Sequence, residues 1–129
     1  GRASGGVPAQ VSEGMTTMST NTYGAPLSFV DRLALLTNAE SLYQAARRGD
    51  SFVCVRAVIG EVTGDDGEIR DVAYFQARGG VWYRSSASIP LAVARALIAS
   101  DDAPESVTLT PGVAMSRSGR EYTTLSVGE

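Results

Sequence analysis

The stretch from Ser51 to Arg84, SFVCVRAVIGEVTGDDGEIRDVAYFQARGGVWYR, decides the fold of this chain. Two long β-rich runs, Phe52 to Val62 and Ile69 to Arg78, flank an acidic Gly-Asp turn. A short third run, Val81 to Arg84, follows Gly79-Gly80. β-Branched and aromatic residues favour strands, and Gly and Asp favour the tight turns that join them. The stretch therefore predicts a three-stranded antiparallel meander.

The predicted meander has two faces, because the side chains of a strand alternate. One face is uniformly apolar, so we expect it to face the core. Its members are Val53, Val55, Ala57, Ile59, Ala73 and Phe75. The other face mixes arginines with aromatic, amide and aliphatic side chains, so we expect it to be partly exposed or to meet a partner. Its members are Phe52, Cys54, Arg56, Val58, Val72, Tyr74, Gln76 and Arg78.

Two helices are predicted before the meander, each from an N-terminal capping box. The first helix begins after Ser28, with Asp31 three residues later. Its apolar residues at helical spacing share one side. They are Phe29, Val30, Leu33 and Leu36. The second helix begins after Thr37, with Glu40 three residues later, and is expected to end at Gly49.

A third helix and a hairpin are predicted after the meander. Ser88 is expected to cap the helix, with Pro90 in its first turn, where proline fits. The apolar side of this helix is expected to lie across the apolar face of the meander. Its members are Leu91, Val93, Ala94, Leu97 and Ile98. Residues 107–116 and 121–127 then indicate two further strands, joined by a turn over residues 117–120.

Together these elements predict an α+β fold: an antiparallel β-sheet of about five strands, a meander plus a late hairpin, with helices packed on one face. Residues 1–24 are mostly small and polar, which predicts a disordered or extended arm. Met15 and Met18 are both plausible natural start sites, which makes residues 1–14 either native or an addition to the chain, outside the predicted domain. Residues 25–129 are predicted to form a single α+β domain, since 129 residues fit one domain.

Composition excludes several kinds of active site. With no His and one Cys, one chain cannot build a His-dependent triad, a Cys/His zinc site or an internal disulfide. The single thiol, Cys54, is expected to be a small buried hydrophobe. No apolar run approaches the roughly 18 residues of a membrane span, and no signal peptide is evident. We therefore expect a cytoplasmic, non-enzymatic protein without a cofactor or a metal.

Two acidic clusters have the residue types that acid–base or metal chemistry uses. They are Asp65, Asp66 and Glu68 in the meander turn, and Asp101, Asp102 and Glu105 after the third helix. Both clusters lie in predicted exposed turns, where a pKa is hard to shift and a rigid metal cage is hard to build. A carboxylate-based enzyme is therefore the third interpretation, behind two kinds of binding protein.

The mixed face interleaves arginines with aromatic residues, and this pattern favours single-stranded nucleic acid as the partner. Aromatic rings stack bases at roughly 1–3 kcal/mol each, while arginine neutralises phosphates. The predicted contacts are Arg56, Tyr74, Arg78, Trp82 and Arg84. A second set on the late hairpin is Arg117, Arg120 and Tyr122. The net charge of −3 favours instead an ordinary solvated face with cross-strand ion pairs, because such binders are usually basic.

The alternative function is assembly. Apolar residues on the mixed face suit an interface between copies of the chain if they are exposed. They are Phe52, Val58, Val72 and Tyr74. A polar arm, a compact sheet and helices on one side are typical of a subunit of a homo-oligomer or of a virion component. Nucleic-acid binding and assembly are compatible with each other.

Overall fold

The computed structural model describes residues 16–128, with side chains from residue 22 onward. The elements in chain order are β1 (Thr16–Tyr23), α1 (Phe29–Asn38), β2 (Glu40–Ser41), α2 (Leu42–Arg48), β3 (Phe52–Thr63), β4 (Ile69–Ala77), β5 (Trp82–Ser85), α3 (Ser88–Ala99), β6 (Val107–Met115) and β7 (Glu121–Gly128). These helices and strands confirm the α+β class.

The seven strands of the described residues form one sheet in the order β2-β5-β4-β3-β6-β7, with β1 also paired to β3. The long β3 strand lies at its centre. β4 pairs along one edge of β3, while β6 and β1 share the other edge end to end. The β2–β5 pair is parallel and the others are antiparallel. The sheet is therefore mixed and curls into a half-barrel, which corrects the expectation of about five antiparallel strands.

Helices cover both faces of the sheet. The larger core lies on the face covered by α3 and by Leu42 of α2, which we name the α3 face. Its strand residues are Tyr23, Phe52, Cys54, Ala57, Ala73, Phe75, Val107, Leu109 and Leu125. On the opposite face, named the α1 face, Leu35 of α1 packs with Val58, Tyr74 and Trp82. The expectation that the helices pack on one face is therefore wrong, because α1 and α3 lie on opposite sides of the sheet.

A β-bulge at Val55 reverses the alternation of β3. Cys54 pairs with Ala77 and Arg56 pairs with Gln76, so Val55 has no counterpart in β4. One extra residue turns every following side chain of the strand to the other face, because the alternation has a period of two. Neither residue type nor spacing announces this bulge in the sequence, since Val is a favourable strand residue.

Because of the bulge, the predicted core face of β3 is wrong for the residues before Arg56 and right for those after it. Ahead of it, Phe52 and Cys54 are buried in the core of the α3 face, whereas Val53 and Val55 are only half-buried. After the bulge and on β4, the predicted core residues do pack on the α3 face. They are Ala57, Ile59, Ala73 and Phe75.

Of the two predicted capping boxes, the first is confirmed and the second is wrong. The Asp31 backbone N–H donates to Ser28 Oγ (3.1 Å), and the Ser28 N–H donates to Asp31 Oδ2 (2.9 Å). Thr37 lies in the last turn of α1, where its hydroxyl donates to a backbone carbonyl one turn earlier (2.8 Å). Glu40 belongs to β2, so α2 starts later than predicted. It still ends at Gly49, whose φ of 75° closes the helix.

Strand β1 consists of residues that the sequence assigns to the arm. Thr16–Tyr23 pairs antiparallel with β3 and forms part of the sheet. Tyr23 lies in the core of the α3 face, and its hydroxyl donates to the carbonyl of Pro104. This part of the predicted arm is therefore integral to the fold. The prediction for residues 1–15 lies outside the described residues.

Candidate functional site

Two of the five predicted nucleic-acid contacts lie in the interior. Tyr74 is 4% exposed and Trp82 is 3% exposed, and both pack beneath α1 against Leu35 and Val58. A base can stack only on a ring whose face it can reach. In this structure neither ring is available for stacking, because α1 covers the face of the sheet that the sequence left open to a partner.

The third predicted contact, Arg56, joins α1 to the sheet. Its guanidinium donates to Asp31 Oδ2 (2.7 Å), to Gln76 Oε1 (2.7 Å) and to the carbonyl of Pro26 (3.3 Å). Its side chain is only 19% exposed. The backbone N–H of Ser28 and the Arg56 guanidinium together hold the pKa of Asp31 low, at about 2. Arg56 and Asp31 therefore form a charged clamp, and few Arg56 donors remain for a phosphate.

The last two predicted contacts, Arg78 and Arg84, are exposed. Arg78 donates to Ser106 Oγ (3.2 Å). Arg84 has no side-chain partner among residues 22–128. In the second predicted set, Tyr122 is 42% exposed on β7. The structure therefore separates the five residues into three that hold the fold together and two that face solvent.

Arg84 lines a polar cavity of about 360 Å³ where the end of β5 approaches the start of β7. The other lining residues come from β2, α2, the end of β5, the β5–α3 connection and β7. They are Ser41, Tyr43, Ser85, Ser86, Ala87, Glu121, Tyr122 and Thr123. The cavity brings together Arg84 from the first predicted set and Tyr122 from the second, although they are far apart in sequence.

Two features of this cavity, named the Arg84 cavity, bear on what it can bind. Thr123 is 7% exposed, and its hydroxyl has no hydrogen-bond partner among the described side chains. Buried polar groups are normally satisfied, so an unpaired hydroxyl at a cavity wall suggests a ligand or water contact. The one lining carboxylate, Glu121, is already engaged by the Tyr43 hydroxyl (2.5 Å) and by Arg47 (3.6 Å). Among residues 22–128, the positive charge of Arg84 is therefore not neutralised by an ion pair.

The outer side of α1 is apolar and uncovered. Phe29 is 71% exposed, Val30 70%, Leu33 50% and Leu36 47%. We name these four residues the α1 stripe. The sequence places them on one side of a helix, and the structure shows that this side points away from the sheet. Leu35 supplies the buried contact from the other side of the helix.

The α1 stripe is unusual because α1 is apolar on two sides. A helix at the surface of a globular protein normally has one apolar side facing the core and a polar side facing water. Leu35 and Ala34 of α1 already meet the sheet, so the stripe is additional apolar surface. Sequence reasoning found the stripe but assigned it no function. The sequence did contain an indication that the stripe need not face the core: Leu35 lies off the stripe and gives α1 a second apolar side.

An apolar groove of about 600 Å³ runs along α3 on the other side of the sheet. Its lining is mostly aliphatic, with three polar residues at its rim. The residues are Ser88, Ile89, Ala92, Val93, Ala96, Leu97, Ser100, Asp102, Ala103, Pro104, Val107 and Val127. We name it the α3 groove. Volumes of this size are typical of pockets that hold a ligand or a partner's side chains.

Unpaired charges lie beside both apolar surfaces. Arg32 lies next to the stripe on α1, is exposed, and has no side-chain partner among residues 22–128. Asp102 lines the α3 groove and accepts only from Ser100 Oγ (2.7 Å) among these residues. Its neighbour Asp101 is exposed and has no side-chain partner among residues 22–128. The stripe therefore has a basic flank and the groove has an acidic rim.

Two acids of the meander turn are engaged by neighbouring residues. The Glu68 N–H donates to Asp66 Oδ1 (3.0 Å) and lowers the pKa of that carboxyl, while Arg70 pairs with both acids. Within the described residues, no three acidic or Cys side chains converge to hold a metal ion. Cys54 is fully buried as predicted, and burial raises the pKa of its thiol to about 12. A thiol that stays protonated is a poor nucleophile.

No protein family, curated protein or solved structure matches this chain. Across residues 16–128, no helix is long and apolar enough to cross a membrane. Three surfaces of the described residues offer chemistry for binding: the α1 stripe, the α3 groove and the Arg84 cavity.

Proposed function

We propose that this protein is a non-enzymatic binding module that assembles with copies of itself through the α1 stripe. One observation carries the proposal: four large apolar side chains on one helix remain 47% to 71% exposed. Single exposed apolar residues are ordinary, whereas a contiguous patch marks an interaction surface. The sequence alternative of a structural, oligomerising protein thereby moves ahead of nucleic-acid binding, because α1 covers two of the rings that nucleic acid was expected to use.

The size of the stripe sets the strength of the contact. Four such side chains expose an apolar patch on the order of 400 Å², within the range of functional patches on monomers. At about 25 cal/mol per Å², covering the patch contributes about 10 kcal/mol in gross terms. Association costs about 4–15 kcal/mol, so the stripe alone supports at most a weak complex. A stable assembly needs the partner surface to bury apolar area of its own.

The mass in solution tests this proposal. Sedimentation velocity at increasing protein concentration is expected to show species larger than the monomer. Leu33→Asp places a charge in the stripe and should raise the dissociation constant at least about tenfold without unfolding the chain, since Leu33 is half exposed. Ile69→Asp is the matched control, because Ile69 is an exposed apolar residue of β4 outside the stripe. A wild-type chain that stays monomeric at millimolar concentration contradicts the proposal.

Single-stranded nucleic acid is a second candidate partner, for which we propose the Arg84 cavity. Arg84 is exposed and unpaired among the described residues, Tyr122 is partly exposed, and the Thr123 hydroxyl lacks a partner there. These groups fit a phosphate and a stacked base. Arg78 is the other exposed residue of the predicted set. The candidate is weaker than assembly because the cavity has a single unpaired cation and the chain has a net charge of −3.

A fluorescence titration with labelled single-stranded DNA tests this candidate at two salt concentrations. Binding should weaken as salt increases, and Arg84→Gln should lower affinity and reduce the salt slope by about one. Arg70→Gln is the matched control, because Arg70 is exposed but paired with acids. No binding by the wild-type chain at low salt rules nucleic acid out.

A further inference from the structure

We infer that the α1 stripe of one copy docks in the α3 groove of the next copy, so that the protein assembles head to tail. This inference rests on the proposed assembly and names the partner surface that the stripe contacts. It commits to a second copy of the same chain because this chain carries an apolar groove, an acidic rim and a basic-flanked stripe.

The stripe and the groove lie on opposite faces of one sheet. α1 packs on Val58 and Tyr74, and α3 packs on the neighbouring residues Ala57, Ala73 and Phe75. Consecutive residues of a strand point to opposite faces, so the sheet lies between the two helices. A stripe cannot reach the groove of its own chain. Contact between unlike surfaces of two copies is heterologous, and it repeats until a ring closes or a filament forms.

The groove has the lining chemistry that an apolar helix requires. Ala92 and Ala96 of α3 are exposed residues of its lining, and such small side chains let a second helix come close, since the distance between helix axes depends on the side chains at the contact. Ile89, Pro104 and Val127 supply apolar walls. Val127 is 51% exposed and Ile89 is 37% exposed, so docking would bury apolar side chains of the groove as well as those of the stripe. Both partners thus contribute apolar area, which a stable assembly needs because the stripe alone supports only a weak complex.

Charge distinguishes this contact from a symmetric one. Arg32 flanks the stripe and Asp102 lines the groove, so docking brings charges of opposite sign together, neither of which has an ion-pair partner among residues 22–128. A stripe-to-stripe contact would offer Arg32 no free carboxylate from α1, because the only acid of α1, Asp31, is bound to Arg56. A symmetric contact would also leave the α3 groove open.

A mixing experiment tests the head-to-tail arrangement. Leu33→Asp blocks the stripe and leaves the groove intact; Ala96→Glu blocks the groove and leaves the stripe intact. Both positions are exposed, so circular dichroism and thermal melting should match the wild type. Each variant alone is expected to be monomeric by sedimentation velocity. An equimolar mixture should form a 1:1 dimer and stop there, since one intact stripe and one intact groove remain.

The outcomes separate this inference from the proposed assembly itself. If Ala96→Glu assembles like the wild type while Leu33→Asp does not, the stripe is an interface but the groove is not its partner, and the inference fails. If the wild type never assembles, the proposed function fails first. Charge reversal gives an independent check: Arg32→Asp or Asp102→Arg should each raise the dissociation constant about five- to tenfold. The double reversal should restore it to within about twofold, and a failure to recover would contradict the pairing.

Discussion

The two faces of the sheet are covered in different ways. On the α3 face, Leu91, Ala94 and Leu97 of α3 are almost fully buried in the larger core. On the α1 face, α1 buries Leu35 and is held by a charged clamp between Asp31 and Arg56, while its stripe faces solvent. α3 thus stabilises the fold by its apolar side chains, whereas α1 is fastened by charge and leaves apolar surface for a partner.

This contrast teaches that amphipathic spacing does not tell which side of a helix faces the core. α1 has a well-formed apolar stripe at helical spacing, and that stripe is the exposed side. Besides the apolar contact of Leu35, the helix is held by a polar contact that needs only one strand position, Arg56. Because α1 buries few of its apolar residues in the monomer, the others are available to contact a partner.

Removing one ring from each face should produce the largest difference. Phe75→Ala empties a fully buried site on the α3 face and should lower the free energy of unfolding by about 3–5 kcal/mol. Phe29→Ala removes the same ring from the stripe and should change it by less than about 0.5 kcal/mol. Urea denaturation of dilute protein measures both values. A large loss in the Phe29 variant would mean that the stripe contributes to the monomer fold.

The connection between β1 and α1 should be the next most sensitive point. Gly24 has a φ of 88°, and a Cβ there would lie 2.2 Å from the carbonyl oxygen of Val55. Gly24→Ala should therefore lower stability by about 1–3 kcal/mol. Gly79→Ala is the control, since nothing lies within 4 Å of its Cβ position and its φ is not positive. Equal thermal melting temperatures for the two variants would contradict this account of the turn.

The Asp31–Arg56 clamp of α1 and the Arg95–Asp71 ion pair of α3 should differ in strength because they differ in burial. Arg56→Met leaves Asp31 without its charged partner in a half-buried site and should cost about 1–2 kcal/mol of stability. Arg95→Met breaks the pair between α3 and Asp71, where both side chains are more exposed, and should cost less than about 0.5 kcal/mol. Chemical denaturation at neutral pH compares them. Similar losses in the two variants would show that charge does not hold α1 more firmly than α3.

Acid should weaken the α1 clamp specifically. The folded-state pKa of Asp31 is lowered to about 2, first by the backbone N–H of Ser28 and then by Arg56. Its unfolded pKa is about 3.9, so the contribution is complete above about pH 4 and is lost as the pH falls toward 2. The urea midpoint of the wild type should fall across this window. Asp31→Asn should flatten that part of the profile, and an unchanged slope would contradict the assignment.

Two helix ends and the meander could be predicted from local chemistry. The Ser28–Asp31 box, the Gly49 stop and the meander all follow from side chains that act within a few residues of one another. β2 escaped prediction because two residues carry no period, and it exists only because β5 offers a parallel edge. β1 escaped because its polar sequence resembles a solvated arm until β3 supplies hydrogen bonds. Which side of the sheet each residue of β3 faces could not be predicted throughout, because the Val55 bulge has no local sequence signature.

The sequence by itself determined the α+β class, the meander, the absence of His chemistry and the apolar stripe of α1. Only the tertiary structure decided what the stretch from Ser51 to Arg84 does: Tyr74 and Trp82 form a second core, and Arg56 fastens a helix. It also brought Arg84 beside Tyr122 and placed the stripe and the groove on opposite faces. The physical reason is that propensity and capping act along the chain, whereas burial depends on which distant segment covers each face.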